Sequence, residues 1–113
     1  MRTEHGCLLR ILAGEGDKHE GRPLYEWIVA QAHAQQLAGA TVYRGLMGFG
    51  AHTRVIHTFK IERLAEDLPI VIEIVDSREK LDGFLTFIEQ HIRSGLVATL
   101  QPIEIRMVQG RTE

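Results

Sequence analysis

A chain of 113 residues and 12.8 kDa supports one hydrophobic core and leaves no room for a second. Hydrophobic residues at 44% and charged residues at 25% are those of a globular fold and exclude wholesale disorder, while a net charge of −2 excludes a general polyanion binder. No apolar run reaches the ~20 residues of a membrane span, and the lone Cys7 excludes an intramolecular disulfide or a Cys-cluster zinc site.

In chain order, residues 1–6 and 109–113 read as loose ends of a single domain, and the N-terminus has no apolar signal core, so a cytoplasmic protein is expected. Cys7 to Ala13 alternates as a strand, with Leu9 and Ile11 on one face and Leu8, Arg10 and Leu12 on the other; Cys7 reads as buried apolar filler. Gly14-Glu15-Gly16-Asp17 breaks the strand, and a polar loop runs to Arg22. Pro23 suits a first helical turn, and Leu24, Trp27, Ile28 and Ala32 recur at helical spacing as far as about Gln36. Ala40 to Leu46 is a second strand, rich in Thr, Val and Tyr.

Gly45, Gly48 and Gly50 then open an excursion from the sheet, and Val55 to Arg63 alternates as a returning strand. Ile70 to Val75 is the most strand-like run of the chain. A helix follows, with Asp76 expected as cap, Glu79 completing a capping box, and Leu81, Phe84, Leu85, Ile88 and Ile92 forming the apolar stripe. Gly95 is expected to end it at positive φ. The last strand puts Ile103, Ile105 and Met107 on one face and Glu104, Arg106 and Val108 on the other.

The order β-α-β-β-α-β, with an arm between the middle strands, predicts an α+β ferredoxin-like sandwich: a four-stranded antiparallel sheet with two helices on one face. The other face is bare. The expected register gives it Leu8, Arg10, Leu12, Val71, Glu73, Val75, Glu104, Arg106 and Val108, a mixture suited to burial against copies of the same chain, with Arg10 and Arg106 paired to Glu73 and Glu104.

Charge is unevenly spread. Between Glu26 and Glu62 stand three of the 13 basic residues (Arg44, Arg54, Lys60) and three histidines (His33, His52, His57), but none of the 15 acids. Positive potential confined to one segment focuses small anions, and the ten arginines against three lysines favour a fork for phosphate or carboxylate. Arg44 and Arg54 are the candidate anion partners. Gly45, Gly48 and Gly50 let backbone N–H groups approach a ligand, and Lys18 and Arg22 add charge near a helix N-terminus. Glu15 and Asp17 could hold magnesium or a ribose hydroxyl, though turn formation suits them better. His52 and His57 lack a third ligand at defined spacing, so no metal site is assigned. No nucleophile triad, Walker lysine or paired carboxylates stand out, so no catalytic residues are assigned.

These residues carry a resemblance. Gly14-Glu15-Gly16-Asp17-Lys18, Gly21 to Glu26, Gly39 to Gly45, Gly48-Phe49-Gly50, Asp67 to Asp76 and Ser94-Gly95-Leu96-Val97 together resemble the PII-like signalling proteins, in particular the branch known as domain of unknown function family 190, over residues 7 to 108. Gly39-x-Thr41-Val42 and Gly48-Phe49-Gly50 are similar to the segment leading into the PII T-loop, and Arg93-Ser94-Gly95 to the helix end before the B-loop.

The resemblance implies a homotrimer that binds an adenine nucleotide between subunits and regulates a partner protein, an enzyme or a membrane transporter, through the 44–57 loop. The charge reading and the resemblance together give the candidate ligand residues Lys18, Arg22, Gly39, Thr41, Arg44, Gly45, Gly48, Phe49, Gly50, Arg54 and Gly95. The chain departs from PII where a Gly-Lys-Ile-Gly-Asp-Gly-Lys type B-loop shrinks to Gly95-Leu96-Val97, which removes the phosphate-gripping lysine. Lys18, His19 and Arg22 in the longer first loop are the expected substitute, favouring AMP or ADP over ATP. The T-loop lacks the modifiable tyrosine in its usual context, so uridylylation is not expected. The alternatives are a CutA-like trimer binding divalent metal and a small ferredoxin-like enzyme; RNA binding is disfavoured because the bare sheet lacks aromatics at recognition positions.

Overall fold

The computed structural model describes residues 2–49, 68–93 and 95–111. Among these residues six strands and two helices are formed: β1 (Arg2–Gly14), β2 (Lys18–His19), β3 (Arg22–Pro23), α1 (Leu24–Ala34), β4 (Gly39–Arg44), β5 (Pro69–Asp76), α2 (Arg78–His91) and β6 (Val97–Met107). The main sheet runs β4-β5-β1-β6, every neighbour antiparallel. This is the expected α+β ferredoxin-like arrangement. The returning strand expected at residues 55–63 lies outside the described residues.

Alternation in the central strands builds the core. Cys7, Leu9 and Ile11 of β1 and Ile70, Ile72 and Ile74 of β5 are buried under Leu24, Trp27, Ile28 and Ala32 of α1 and Leu81, Phe84 and Ile88 of α2. The helical stripes thus meet the strands whose inward face repeats every second residue. Phe84 is 1% exposed, and truncating it to alanine would cost about 3–5 kcal/mol through lost transfer energy and the cavity left behind.

Several boundaries differ from the sequence reading. Residues 2–6 are not a loose end: β1 starts at Arg2 and pairs with β6 from Arg2↔Met107 to Leu12↔Val97 without interruption. The polar loop before α1 contains a small hairpin, β2–β3, in which Glu20 (φ 51) and Gly21 (φ 80) both take the left-handed region, as the tightest hairpin turns require. Pro23 is the residue just before α1.

At α2 the cap is Ser77, whose Oγ accepts from the Lys80 amide. Asp76 is engaged elsewhere: one carboxylate oxygen accepts from the Ser77 amide at 2.6 Å and the other from the Ala38 amide at 2.9 Å, which ties the segment before β4 to the end of β5. The capping box with Glu79 therefore does not form. The helix ends at His91 with Ile92 extended (φ −100), so Gly95 supplies no left-handed cap.

The largest correction concerns the bare face. Continuous β1–β6 pairing sets Leu8 opposite Gln101 and Gly6 opposite Ile103. Ile103, Ile105 and Met107 therefore share the bare face with Leu8, Arg10 and Leu12, while Glu104 and Arg106 point to the helix side. With Val71 and Val75 of β5, the face is more apolar than expected. Arg10 and Glu73 do pair, directly across the ladder of one chain, and Arg106 pairs with Glu104 two residues away on its own strand.

Candidate functional site

Antiparallel pairing gathers one set of termini at a single end of the sandwich. Gly14 closes β1 opposite Pro69 at the start of β5, Arg44 closes β4 opposite Ile70, and Leu12 faces Val97 at the start of β6. The chain reverses there from β1 into α1, from α2 into β6, and out of β4 into the arm. Most of the candidate residues therefore converge on this end, although they are up to about 80 positions apart in sequence.

The root of the arm is tightly placed. The Gly45 amide donates to the Pro69 carbonyl at 2.7 Å. A Cβ at Gly45 would lie 2.8 Å from Pro69 Cγ, so this position requires glycine for the close approach. Leu46, Met47 and Phe49 follow with exposed apolar side chains. Arg44 does not stand free: its guanidinium donates to Glu15 Oε2. The Glu15 amide donates to the Leu68 carbonyl at 2.8 Å, while its second carboxylate oxygen is buried without a hydrogen-bond partner among the described residues. Glu15 thereby pins the first loop to the arm.

Asp17 organises the same loop. Its Oδ2 accepts from the Gly14 amide at 2.9 Å, and its carbonyl accepts from the Leu24 amide at the start of α1. These are the bonds of a turn, and no group of three or more metal-ligating side chains occurs among the described residues. Lys18 and Arg22 lie on the β2–β3 hairpin, both exposed, with Arg22 opposite His19. Gly95 is exposed in the short link between α2 and β6. Gly50, Arg54, His52 and His57 lie outside the described residues.

Two candidates are placed elsewhere. Gly39 starts β4 opposite Val75, about 17 Å from Arg44 along the strand. Thr41 stands mid-strand opposite Glu73, on the bare face. In one chain neither meets the loops at the far end.

Sequence reasoning paired Arg10 with Glu73 but missed the part of Tyr43 in that grouping, and it missed a second grouping altogether. The first is on the bare face, where Glu73 Oε2 accepts from Arg10 Nη2 at 2.8 Å, from Arg10 Nε at 3.0 Å and from the Tyr43 hydroxyl at 2.8 Å. The Tyr43 and Arg10 donors hold the Glu73 carboxyl below its ordinary range, and in return Glu73 raises both partners. The second is an aromatic row: His19 lies on Trp27 at 4.3 Å between ring centroids, Trp27 on Phe87 at 5.9 Å, and Phe87 on His91 at 4.2 Å. The i, i+4 spacing of Phe87 and His91 was the available signal for half of this row. Its junction with His19 depends on long-range packing.

The family model described as Uncharacterized ACR (DUF190) matches residues 6–105. The chain belongs to this family. A UPF0166 protein of Aquifex aeolicus is 38% identical over 105 residues, covering 93% of this chain and 97% of the relative. The UPF0166 protein MJ1524 of Methanocaldococcus jannaschii is 37% identical over 91 residues, covering 80% and 82%.

Among solved structures, the PII-like signaling protein TTHA0516 of Thermus thermophilus superposes with a TM-score of 0.63 at 17% identity, covering 93% of each chain. CPII of Thiomonas intermedia, bound to ADP and bicarbonate, gives 0.57 at 20% identity, covering 92% and 91%. The same protein bound to ADP, AMP and acetate gives 0.56 at 21%, covering 95% and 94%. The DUF190 chain therefore has the PII-like fold, as its resemblance implied. Among the described residues no helix is long and apolar enough to cross a membrane.

Proposed function

We propose that this DUF190 protein is a non-catalytic PII-like regulator. It assembles as a trimer through the bare sheet face, binds an adenine nucleotide at the junctions between subunits, and regulates a partner protein, an enzyme or a membrane transporter, through the 44–57 arm. The carrying observation is the convergence of the first loop, the arm root and the α2–β6 link at one end of the sheet. Loops gathered at the end of a rigid scaffold are where ligand contacts concentrate. CPII, which shares the fold, has been solved with ADP and AMP, and this supports the choice of ligand.

The bare face supports the assembly. Leu8, Val71, Val75, Ile103 and Ile105 present branched apolar side chains on which no other described element packs, and a contact with copies of the chain would remove them from water. In a trimer Gly39 and Thr41 would lie at that contact, which gives them a route to a ligand shared between subunits. The effector acts by binding one arm conformation better than another: ~1–3 kcal/mol of preference shifts populations 5- to 150-fold.

Calorimetry of the purified chain with AMP, ADP and ATP, alongside light scattering, tests the reading. Saturable binding of AMP or ADP by a species of three copies supports it. A stable single-copy species that binds none of the three overturns it.

A further inference from the structure

The geometry points to a phosphoryl-binding subsite in the cavity between the β2–β3 hairpin and the C-terminal end of α2, formed by Lys18, His19, His91 and Arg93. It rests on the nucleotide reading above for the rest of the ligand, and it names the part of the chain that grips the phosphate.

The cavity has a volume of about 530 Å³, ample for a phosphoryl group with its hydration. Four basic side chains line it against two acidic ones, Asp17 and Glu20. The acids are not equivalent opponents. Asp17 spends a carboxylate oxygen on the Gly14 amide. Glu20 is exposed and lies 3.9 Å from His19 Nε2. Among the described residues no carboxylate pairs with the Lys18 ammonium or the Arg93 guanidinium. Two uncommitted cations facing one cavity, with a planar fork among them, suit a compact oxyanion.

The histidines are held in place by packing. The His19 side chain is 14% exposed and its ring lies on Trp27. His91 lies on Phe87 and uses Nδ1–H to donate to the Phe87 carbonyl at 2.8 Å, which leaves Nε2 for a ligand. Phosphate monoesters carry a second pKa near 6. A P–OH can therefore donate to a neutral Nε2, and a protonated Nε2–H can donate to the dianion.

The site also differs from the grip expected from sequence. Arg22 is not among the cavity residues, and its place is taken by His91 and Arg93, about 70 positions further along. The hairpin brings Lys18 and His19 to the cavity because Glu20 and Gly21 turn within two residues. The same first loop holds the arm root through Glu15 and Arg44, so a phosphate bound here lies on the loop that anchors the proposed signalling arm.

The test follows the ring C–H resonances of His19 and His91 by NMR in the full chain, assigned with His19→Gln and His91→Gln. Inorganic phosphate, AMP and adenosine are added in turn. Phosphate and AMP should move both rings along one saturable curve, while adenosine at the same concentration should not. Lys18→Gln and Arg93→Gln, both at exposed positions, should each weaken the phosphate response about tenfold, a charge-assisted hydrogen bond's worth. Arg78→Gln, at the opposite end of α2, should leave it unchanged.

Rings unmoved by phosphate and AMP, or moved equally in Lys18→Gln and Arg93→Gln, overturn the subsite. Calorimetric binding of AMP with unmoved rings overturns the subsite and leaves the nucleotide reading standing. Rings moved by phosphate in a chain that binds no nucleotide uphold the subsite and overturn that reading.

Discussion

Arg44 and Glu15 join across the end of the sheet, so the arm leaves β4 from a position fixed to the loop that follows β1. The arginine expected to meet an anion is already neutralised, and an incoming phosphate would have to compete with a carboxylate. Within the pair Glu15 is mostly covered and Arg44 is the exposed partner, so the guanidinium is the side that can turn to another anion.

Glu15→Gln keeps the shape and removes the competing charge. If Arg44 turns to the nucleotide when it binds, this variant should bind ADP more tightly than the wild type, and Arg44→Gln more weakly, with thermal midpoints of both within a few degrees of the parent. Calorimetry on the three proteins decides it. Equal affinities would mean that Arg44 serves the arm root alone.

The second prediction concerns acid. The Glu73 carboxyl, with Arg10 and Tyr43 donating to it, stays ionised below its ordinary range. A carboxyl with a lowered folded pKa contributes stability above its unfolded value and loses it as pH falls through the folded one. The difference in urea midpoint between wild type and Glu73→Gln should therefore be constant near neutrality and shrink between about pH 5 and pH 3. A gap that widens on acidification would contradict the geometry.

Much of this fold is legible in the sequence because its signals are local. Leu24, Trp27, Ile28 and Ala32, at i, i+3, i+4 and i+8 on one helical face, are all buried in α1, and Leu9 and Ile11 alternate into the core from β1. The errors arise where a choice is settled at long range. Ile103, Ile105 and Met107 look like a core-facing set, yet pairing of Gly6 with Ile103 turns them to the bare face. Asp76 and Ser77 are equally good caps by type, and the distant Ala38 amide decides between them by drawing Asp76 away. The candidate site divides in the same way. Its glycines and arginines could be read from composition, whereas the meeting of His19 with Trp27 and the placing of Lys18 and Arg93 on one cavity are products of packing.

The third prediction follows from the arm root. A methyl group at position 45 would press on the Pro69 ring, which has little freedom to move aside. Gly45→Ala should cost about 1–3 kcal/mol, the range for inserting a methyl into a packed contact, and lower the thermal midpoint accordingly. Gly83, with open space around its Cβ position in the middle of α2, is the comparison. Gly83→Ala should raise stability by about 0.5–1 kcal/mol through better helix propensity. Opposite signs for two identical substitutions separate packing at the arm root from a general effect of removing glycine.

The last prediction concerns assembly. Leu8 and Val75 face each other in the β1–β5 ladder, half-buried at the centre of the bare sheet. In a trimer built on this face they would be desolvated, and a carboxylate introduced there would be buried without a partner. Leu8→Glu should then sediment as a single copy while keeping its circular dichroism, since the core lies on the other face around Leu9, Ile72 and Phe84. Val108→Glu, at an exposed position beyond the end of β6, should leave the sedimentation coefficient unchanged. Nucleotide affinity measured on the Leu8→Glu protein extends the test: a ligand shared between subunits is lost with the trimer, whereas one held within a single chain survives dissociation.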